Sequence, residues 1–231
     1  MKVATISSYP PRECGIATFN QNLLHSLVSQ PNTGEKPDTA FVVAMNDHNQ
    51  TYPYGPEVKL SIHQEQQADY LEAANYINIS GADYCILQHE FGIYGGLSGV
   101  YILPLLHRLD MPVVAILHTV LKMPSYNEKA ILKEICKMAA KVVVMNKKAI
   151  GFLDEIYGVP LEKISFIEHG VPDIHFNQAD VKKEFKLEGK KILLTFGFIG
   201  RNKGIETVIK ALPRIIEKYP DVLRRVYVPF V

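Results

Sequence analysis

The sequence predicts an α/β protein built on a doubly wound parallel sheet. Short apolar runs rich in β-branched residues recur along the chain, and each ends in a turn that leads into a segment with helical periodicity. Most runs are continuously apolar rather than alternating, as expected for strands with helices on both faces. The predicted strands are residues 2–7, 39–45, 84–88, 113–118, 141–145, 163–167 and 191–196.

Three segments between these strands place apolar side chains at helical spacing. We interpret each stripe as a helix face that packs on the sheet, not as a site. The stripes are Ile16, Phe19, Leu23, Leu24 and Leu27; Ile131, Leu132, Ile135, Met138 and Ala139; and Val208, Ile209, Leu212 and Ile216.

Composition excludes several classes of protein. The 231 residues carry 25 Lys and Arg against 24 Asp and Glu, so no overall field would attract nucleic acid. The three cysteines are far apart and form no CxxC pair, which argues against a disulfide framework or a zinc site. No run approaches the ~20 apolar residues of a membrane span. We expect a cytoplasmic protein, with peripheral membrane contact left open.

The best domain boundary lies where a strand-turn-helix unit starts afresh after a polar stretch. We predict a first domain over residues 1–175, a linker over 176–188, and the incomplete start of a second domain over 189–231. In doubly wound sheets the ligand lies beyond the carboxyl ends of the strands, so the residues after each strand are the candidate sites.

Two of these loops carry glycines. Gly15 follows the first strand and opens a helix, where exposed N–H groups would admit a sugar or phosphate; a tight turn without a ligand is the alternative. The loop after the third predicted strand combines His89, Glu90, Phe91 and Gly92, with two more glycines at 95 and 96. Carboxylates and imidazoles bind hydroxyls, aromatic rings stack on sugars, and glycines leave space, so this mixture favours sugar recognition.

Two further histidines lie at strand ends. His118 ends the fourth predicted strand, and His169 follows the strand at the predicted domain boundary. Each histidine would suit a ligand contact, and a structural role remains the alternative for both.

The last candidate loop opens the final helix. Gly197, Arg201, Lys203 and Gly204 place two glycines and two cations at a helix amino terminus, which indicates a diphosphate cradle, although the pattern is neither a P-loop nor GxGxxG.

Taken in order, residues 10–17, 88–92, 117–119, 169–173 and 197–204 resemble the motifs of family 4 glycosyltransferases. The resemblance covers nearly the whole chain. It implies a GT-B fold, in which two Rossmann-like domains face each other across a cleft. It also implies metal-independent transfer, with retention, from a UDP- or GDP-linked sugar to a hydroxyl acceptor such as a saccharide or glycolipid, and no cofactor.

The resemblance also implies roles for the candidate residues. His118 would be the catalytic residue near the reacting sugar. The donor diphosphate would lie against Gly15, Gly197, Arg201, Lys203 and Gly204, and the acceptor or sugar against His89, Glu90, Phe91, Gly92 and His169.

The chain departs from the family pattern in two places. Phe198 stands where the family commonly has an arginine. The resemblance also implies a further ~130 residues or more beyond residue 231, judged from usual domain sizes, and places the family's paired glutamates there. Arg224, Arg225 and Pro229 replace an expected buried strand. We therefore expect a truncated chain that is weak or inactive alone, with self-association through the incomplete domain left open.

Two other functions stay in view. A non-catalytic module that keeps the acceptor pocket would fit the same residues. A flavodoxin-like or dehydrogenase domain fits poorly, because GxGxxG does not follow the first strand.

Overall fold

The computed structural model describes residues 1–29, 39–47, 50–171, 175, 177–196 and 204–227. The chain divides into two compact units, Met1–Pro172 and Asp173–Val231. Gly197, Arg201 and Lys203 of the predicted diphosphate cradle lie outside the described residues. No helix in the described ranges is long and apolar enough to cross a membrane.

In the first unit strands and helices alternate, except that the third strand follows the second without a helix among the described residues between them. Its strands are β1 (Lys2–Ser7), β2 (Thr39–Asn46), β3 (Val58–His63), β4 (Tyr84–His89), β5 (Val113–Leu117), β6 (Lys141–Val144) and β7 (Ile164–Phe166). Its α-helices are α1 (Gly15–Ser29), α2 (Gln67–Ile79), α3 (Ile102–Leu106), α4 (Tyr126–Met138) and α5 (Lys147–Glu155).

These seven strands form one parallel sheet in the order β3-β2-β1-β4-β5-β6-β7. The predicted doubly wound, Rossmann-like fold is confirmed. Strand order reverses between β1 and β4, because β2 lies on one side of β1 and β5 on the far side of β4. In sheets of this kind, ligands bind beyond the carboxyl ends of the strands, near the point where the strand order reverses.

Helices cover both faces of the sheet. On one face Val3, Ile86 and Ile116 pack against Phe19 and Leu23 of α1. The other face and helices α2 to α5 form the main core, which includes Leu87 of β4 and Ile135 of α4. Because successive strand residues alternate between faces, neighbouring residues of β4 contact different layers.

Strand β3 is absent from the sequence prediction. Its residues alternate, with Val58, Leu60 and Ile62 separated by Lys59 and Ser61, whereas the predicted strands are mostly continuous apolar runs. β3 lies at the edge of the sheet, and only Ile62 is fully buried. An edge strand of this kind needs one apolar face only.

The second unit contains α6 (Gln178–Glu184), β8 (Lys191–Phe196), α7 (Ile205–Lys218) and β9 (Val222–Tyr227). Helix α6 falls within the segment predicted as a linker. Strands β8 and β9 pair in parallel from Lys191 opposite Val222 onward. The sequence prediction missed β9, because it required a strand here to be apolar, whereas ladder pairing is made by the backbone.

Candidate functional site

A pocket of about 470 Å³ lies within the first unit, at the carboxyl ends of β5 and β6. Its volume falls in the range of small-molecule sites. The lining combines imidazole, hydroxyl, amide and ammonium groups with apolar side chains. The lining residues are Leu117, His118, Thr119, Val120, Met145, Asn146, Lys148, Ala149, Phe152 and His169.

Residues at the carboxyl ends of β4, β5 and β6 fix the walls of the pocket. His118 comes directly after β5, and its backbone N–H donates to the carbonyl of His89 at 2.9 Å, which extends the β4–β5 ladder by one residue. Beyond β6, the side chain of Asn146 accepts the N–H of Lys148 at 2.9 Å and so caps α5. The start of α5 is thereby fixed at the pocket wall.

The His118 side chain is held by a hydrogen bond and by a ring contact. Its Nε2 lies 2.8 Å from Oε1 of Gln88, and its ring meets the edge of Phe19 with centroids 5.0 Å apart. Burial, and then the neighbouring His169, lower the pKa of His118 to about 4. The imidazole is therefore neutral at pH 7, which makes it a weak general base and a good hydrogen-bonding group.

His169 reaches the same pocket from the loop after β7. Its side chain is exposed, its Nδ1 lies 2.7 Å from the carbonyl of Gly170, and its ring packs on Phe19 with centroids 5.0 Å apart. Phe19 of α1 thus contacts both imidazoles. The structure brings together His118 and His169, which the sequence had placed at separate strand ends.

His89 has a different environment, because it is only 1% exposed. Its ring stacks on Tyr94 and meets the edge of Phe91, and burial lowers its pKa to about 4. Its Nδ1 has no hydrogen-bond partner among the described residues. His89 belongs to the core beneath the site, and its predicted contact with a sugar hydroxyl stays a prediction.

Glu90 ties two loops of the site together. One carboxylate oxygen accepts the hydroxyl of Thr119 at 2.6 Å, and the other accepts the backbone N–H of Phe91 at 2.9 Å. Since Thr119 lines the pocket, Glu90 sets the position of one wall. Phe91 packs against the main core.

The three glycines of this loop differ in what surrounds them. Gly92 is exposed with open space beside it, and its carbonyl accepts the side-chain amide of Gln64 at 2.8 Å. A Cβ at Gly95 would overlap the carbonyl oxygen of Gln64, and one at Gly96 would lie 2.7 Å from the Tyr101 ring. Only Gly92 therefore leaves the space that the sequence prediction expected of all three.

The two remaining described candidates lie at helix amino termini. Gly15 is the first residue of α1, and it is exposed, with no atom within 4 Å of the position that a Cβ would occupy. Gly204 precedes α7 with φ of 65°, and its carbonyl accepts the N–H groups of Thr207 and Val208. Their predicted contacts with a diphosphate stay predictions.

Several residues of the site were not predicted. Gln88 and Asn20 had a detectable signal, because each is a polar residue within an apolar strand or helix face; the structure buries both fully. Asn146 carried only the weaker signal of a helix-capping residue type, and Lys148 carried none. Among the described residues, no three His, Cys, Asp or Glu side chains cluster as metal ligands.

No protein-family model and no curated protein sequence matches the chain significantly. Its fold is similar to those of solved glycosyltransferases. A glycosyltransferase from Rickettsia africae ESF-5 has a TM-score of 0.63 at 13% identity, covering 99% of this chain and 68% of that one. Anabaena HepE, solved in complex with UDP-glucose, has a TM-score of 0.63 at 13% identity, covering 98% and 60%.

A third similar structure is the apo form of the lipopolysaccharide outer core galactosyltransferase WaaB. It has a TM-score of 0.56 at 14% identity, covering 98% of this chain and 68% of its own. This chain thus spans 60–68% of the length of the three solved proteins. At these identities, what the chain has in common with them is the fold.

Proposed function

We propose that the chain is part of a glycosyltransferase that moves a sugar from a UDP- or GDP-linked donor to a hydroxyl acceptor. The observation that carries this proposal is the pocket at the carboxyl edge of the sheet, with neutral His118 in its wall. The fold adds support, because a protein of similar fold is solved with UDP-glucose. Saccharides and glycolipids are the acceptor classes that we expect.

The pocket has the chemistry that a sugar requires. A neutral imidazole at His118 and the hydroxyl of Thr119 exchange hydrogen bonds with sugar hydroxyls, while Phe152 and Val120 offer apolar surface to a sugar ring. Lys148 adds a cation at the rim, where its side chain is exposed. With a pKa of about 4, His118 would orient the reacting sugar rather than remove its proton.

In this proposal the donor diphosphate binds to the loop between β8 and α7. Lys203 and Arg201 would stabilise the departing diphosphate by their charges, as would the amino terminus of α7, in place of a divalent cation. Metal independence and retention at the anomeric carbon are part of this proposal and rest on the resemblance of the motifs. Turnover by these 231 residues alone would be weak, because the described second unit supplies only a two-stranded sheet.

The second candidate function is binding of a carbohydrate acceptor without transfer. One observation favours it: the lining of the pocket belongs entirely to the first unit. Such a module would bind a saccharide without a nucleotide.

Isothermal titration calorimetry with UDP, GDP, UDP-glucose and GDP-mannose tests the proposal. We expect saturable binding of one nucleotide series that weakens roughly tenfold or more in Lys203→Ala, since a charge-assisted hydrogen bond contributes about 1.5–3 kcal/mol. Lys210→Ala is the matched control, because it removes the same charge from an exposed position on α7.

Titrations of a free saccharide into the chain and into His118→Ala, run beside the nucleotide titrations, separate the two candidates. Equal weakening in both lysine variants would show that the phosphate loop is not a specific site. If no nucleotide binds but a saccharide does, and His118→Ala abolishes that binding, the acceptor-binding module replaces the transferase. If neither class of ligand binds, both candidates fail.

A further inference from the structure

A continuous chain of polar side chains runs from the pocket into the interior of the first unit. Nε2 of His118 lies 2.8 Å from Oε1 of Gln88. The Gln88 amide donates to Oδ1 of Asn20 at 3.3 Å, and the Asn20 amide donates to the hydroxyl of Thr5 at 3.2 Å. The Thr5 hydroxyl donates in turn to the backbone carbonyl of Phe41, at a longer 3.5 Å.

The interior members of this relay are inaccessible to solvent. Thr5, Asn20 and Gln88 are each 0% exposed. They come from β1, α1 and β4, three elements that also contact one another through apolar side chains such as Val3, Phe19 and Ile86. Burying a side-chain amide without hydrogen-bond partners costs about 1–3 kcal/mol. In this relay the oxygen and the nitrogen of the Gln88 amide each have a partner, and so do those of the Asn20 amide.

The far end of the relay sets its direction. The Phe41 carbonyl oxygen can only accept, so the Thr5 hydroxyl donates to it and accepts from the Asn20 amide nitrogen. The Asn20 oxygen then receives the Gln88 amide, which leaves the Gln88 oxygen facing the imidazole. An oxygen in that position requires a proton on Nε2 of His118.

We propose that Gln88 is a positioning residue for His118: the relay through Asn20 and Thr5 keeps the proton on Nε2 and leaves Nδ1 as a lone-pair acceptor. Phe19 fixes the plane of the same ring from the side, through its edge contact. His118 therefore presents an acceptor to a ligand, and the matching ligand group is a donor such as a hydroxyl. Only this last consequence rests on the proposed function; the tautomer does not.

Imidazole nitrogen NMR of the unliganded chain tests the relay directly. We expect a His118 ring in which Nε2 carries a hydrogen-bonded proton that exchanges slowly with water, and in which Nδ1 is unprotonated at pH 7. Since this spectrum needs no ligand, a failure of the relay is distinguishable from a failure of the proposed function. A proton on Nδ1 would mean that the relay runs in the opposite direction and would overturn the proposal.

Variants assign the effect to Gln88. In Gln88→Met, which keeps the length of the side chain but removes the acceptor, the slowly exchanging Nε2 proton signal should be lost. Gln88→Glu restores an acceptor and should restore the signal. Gln64→Met is the matched control, because the Gln64 amide bonds the carbonyl of Gly92 and not His118. Retention of the signal in folded Gln88→Met overturns the role of Gln88; if that variant does not fold, the wild-type spectrum still decides the direction of the relay.

Discussion

The two units of the chain bury their apolar side chains to very different extents. Helices α4 and α7 were predicted from the same kind of apolar stripe, yet Ile135 of α4 is 0% exposed and Ile209 of α7 is 51% exposed. Leu194 of β8 is 60% exposed, whereas Leu87 of β4 is fully buried. Apolar periodicity thus predicts that a helix forms and which face it offers, but not whether another layer covers that face.

We expect the largest change in the free energy of unfolding when these two isoleucines are each replaced by alanine. Ile135→Ala should lower the free energy of unfolding of the first unit by about 2–5 kcal/mol, because it leaves a cavity in the main core. Ile209→Ala removes the same atoms from a half-exposed position, and we expect a loss below about 1 kcal/mol. Denaturant unfolding followed by circular dichroism measures both.

Equal losses in the two variants would contradict the difference between the units. A large loss in Ile209→Ala would show that α7 is covered in solution, for example by a second copy of the chain. Repeating the measurement at several protein concentrations distinguishes that case, since burial between copies makes stability depend on concentration.

Acid should act on the first unit through its buried histidines. Burial lowers the pKa of His89 from its usual 6.5 to about 4, so below pH 6.5 the unfolded chain binds a proton that the folded chain does not. This stability is present above pH 6.5 and is lost as the pH falls towards 4. At about 1.4 kcal/mol per pKa unit, His89 accounts for about 3 kcal/mol. His118, whose pKa is also lowered to about 4, acts in the same direction.

Urea midpoints measured between pH 7 and pH 4 check this prediction. His89→Phe keeps an aromatic ring beside Phe91 and Tyr94 but cannot be protonated, so its midpoint should fall less steeply with pH. An unchanged slope in His89→Phe would mean that His89 is not buried in its neutral form.

The sheet was largely predictable from the sequence because most of its strands are covered on both faces. In the seven-stranded sheet β1 begins and ends where predicted, and β4 is longer by one residue; β8, in the two-stranded sheet of the second unit, also has its predicted bounds. β3 and β9 were missed for physical reasons. β3 alternates because it is an edge strand, and β9 contains two arginines that do not prevent its backbone from pairing with β8.

The site was less predictable, because it depends on which face of a strand each residue occupies. Gln88 and His89 are adjacent, yet Gln88 contacts Asn20 of α1 whereas His89 packs with Phe91 and Tyr94 in the opposite layer. Because side chains alternate between the faces of β4, the sequence could have assigned Gln88 and His89 to opposite layers if the face covered by α1 had been known. The meeting of His118 with His169 at Phe19 depends on sheet order, which local patterns do not contain.

We expect the smallest losses of stability when one glycine from each unit is replaced by alanine. In Gly95→Ala the new Cβ would overlap the Gln64 carbonyl oxygen, which is backbone and cannot move aside easily, so we expect a loss of about 1–3 kcal/mol. Gly204→Ala meets open space but keeps a φ of 65°, so the loss should be near 1 kcal/mol, roughly the cost of left-handed backbone. Thermal unfolding of each variant measures the difference. A larger loss in Gly204→Ala than in Gly95→Ala would contradict this prediction. It would mean that left-handed backbone at residue 204 costs more than the steric overlap at residue 95.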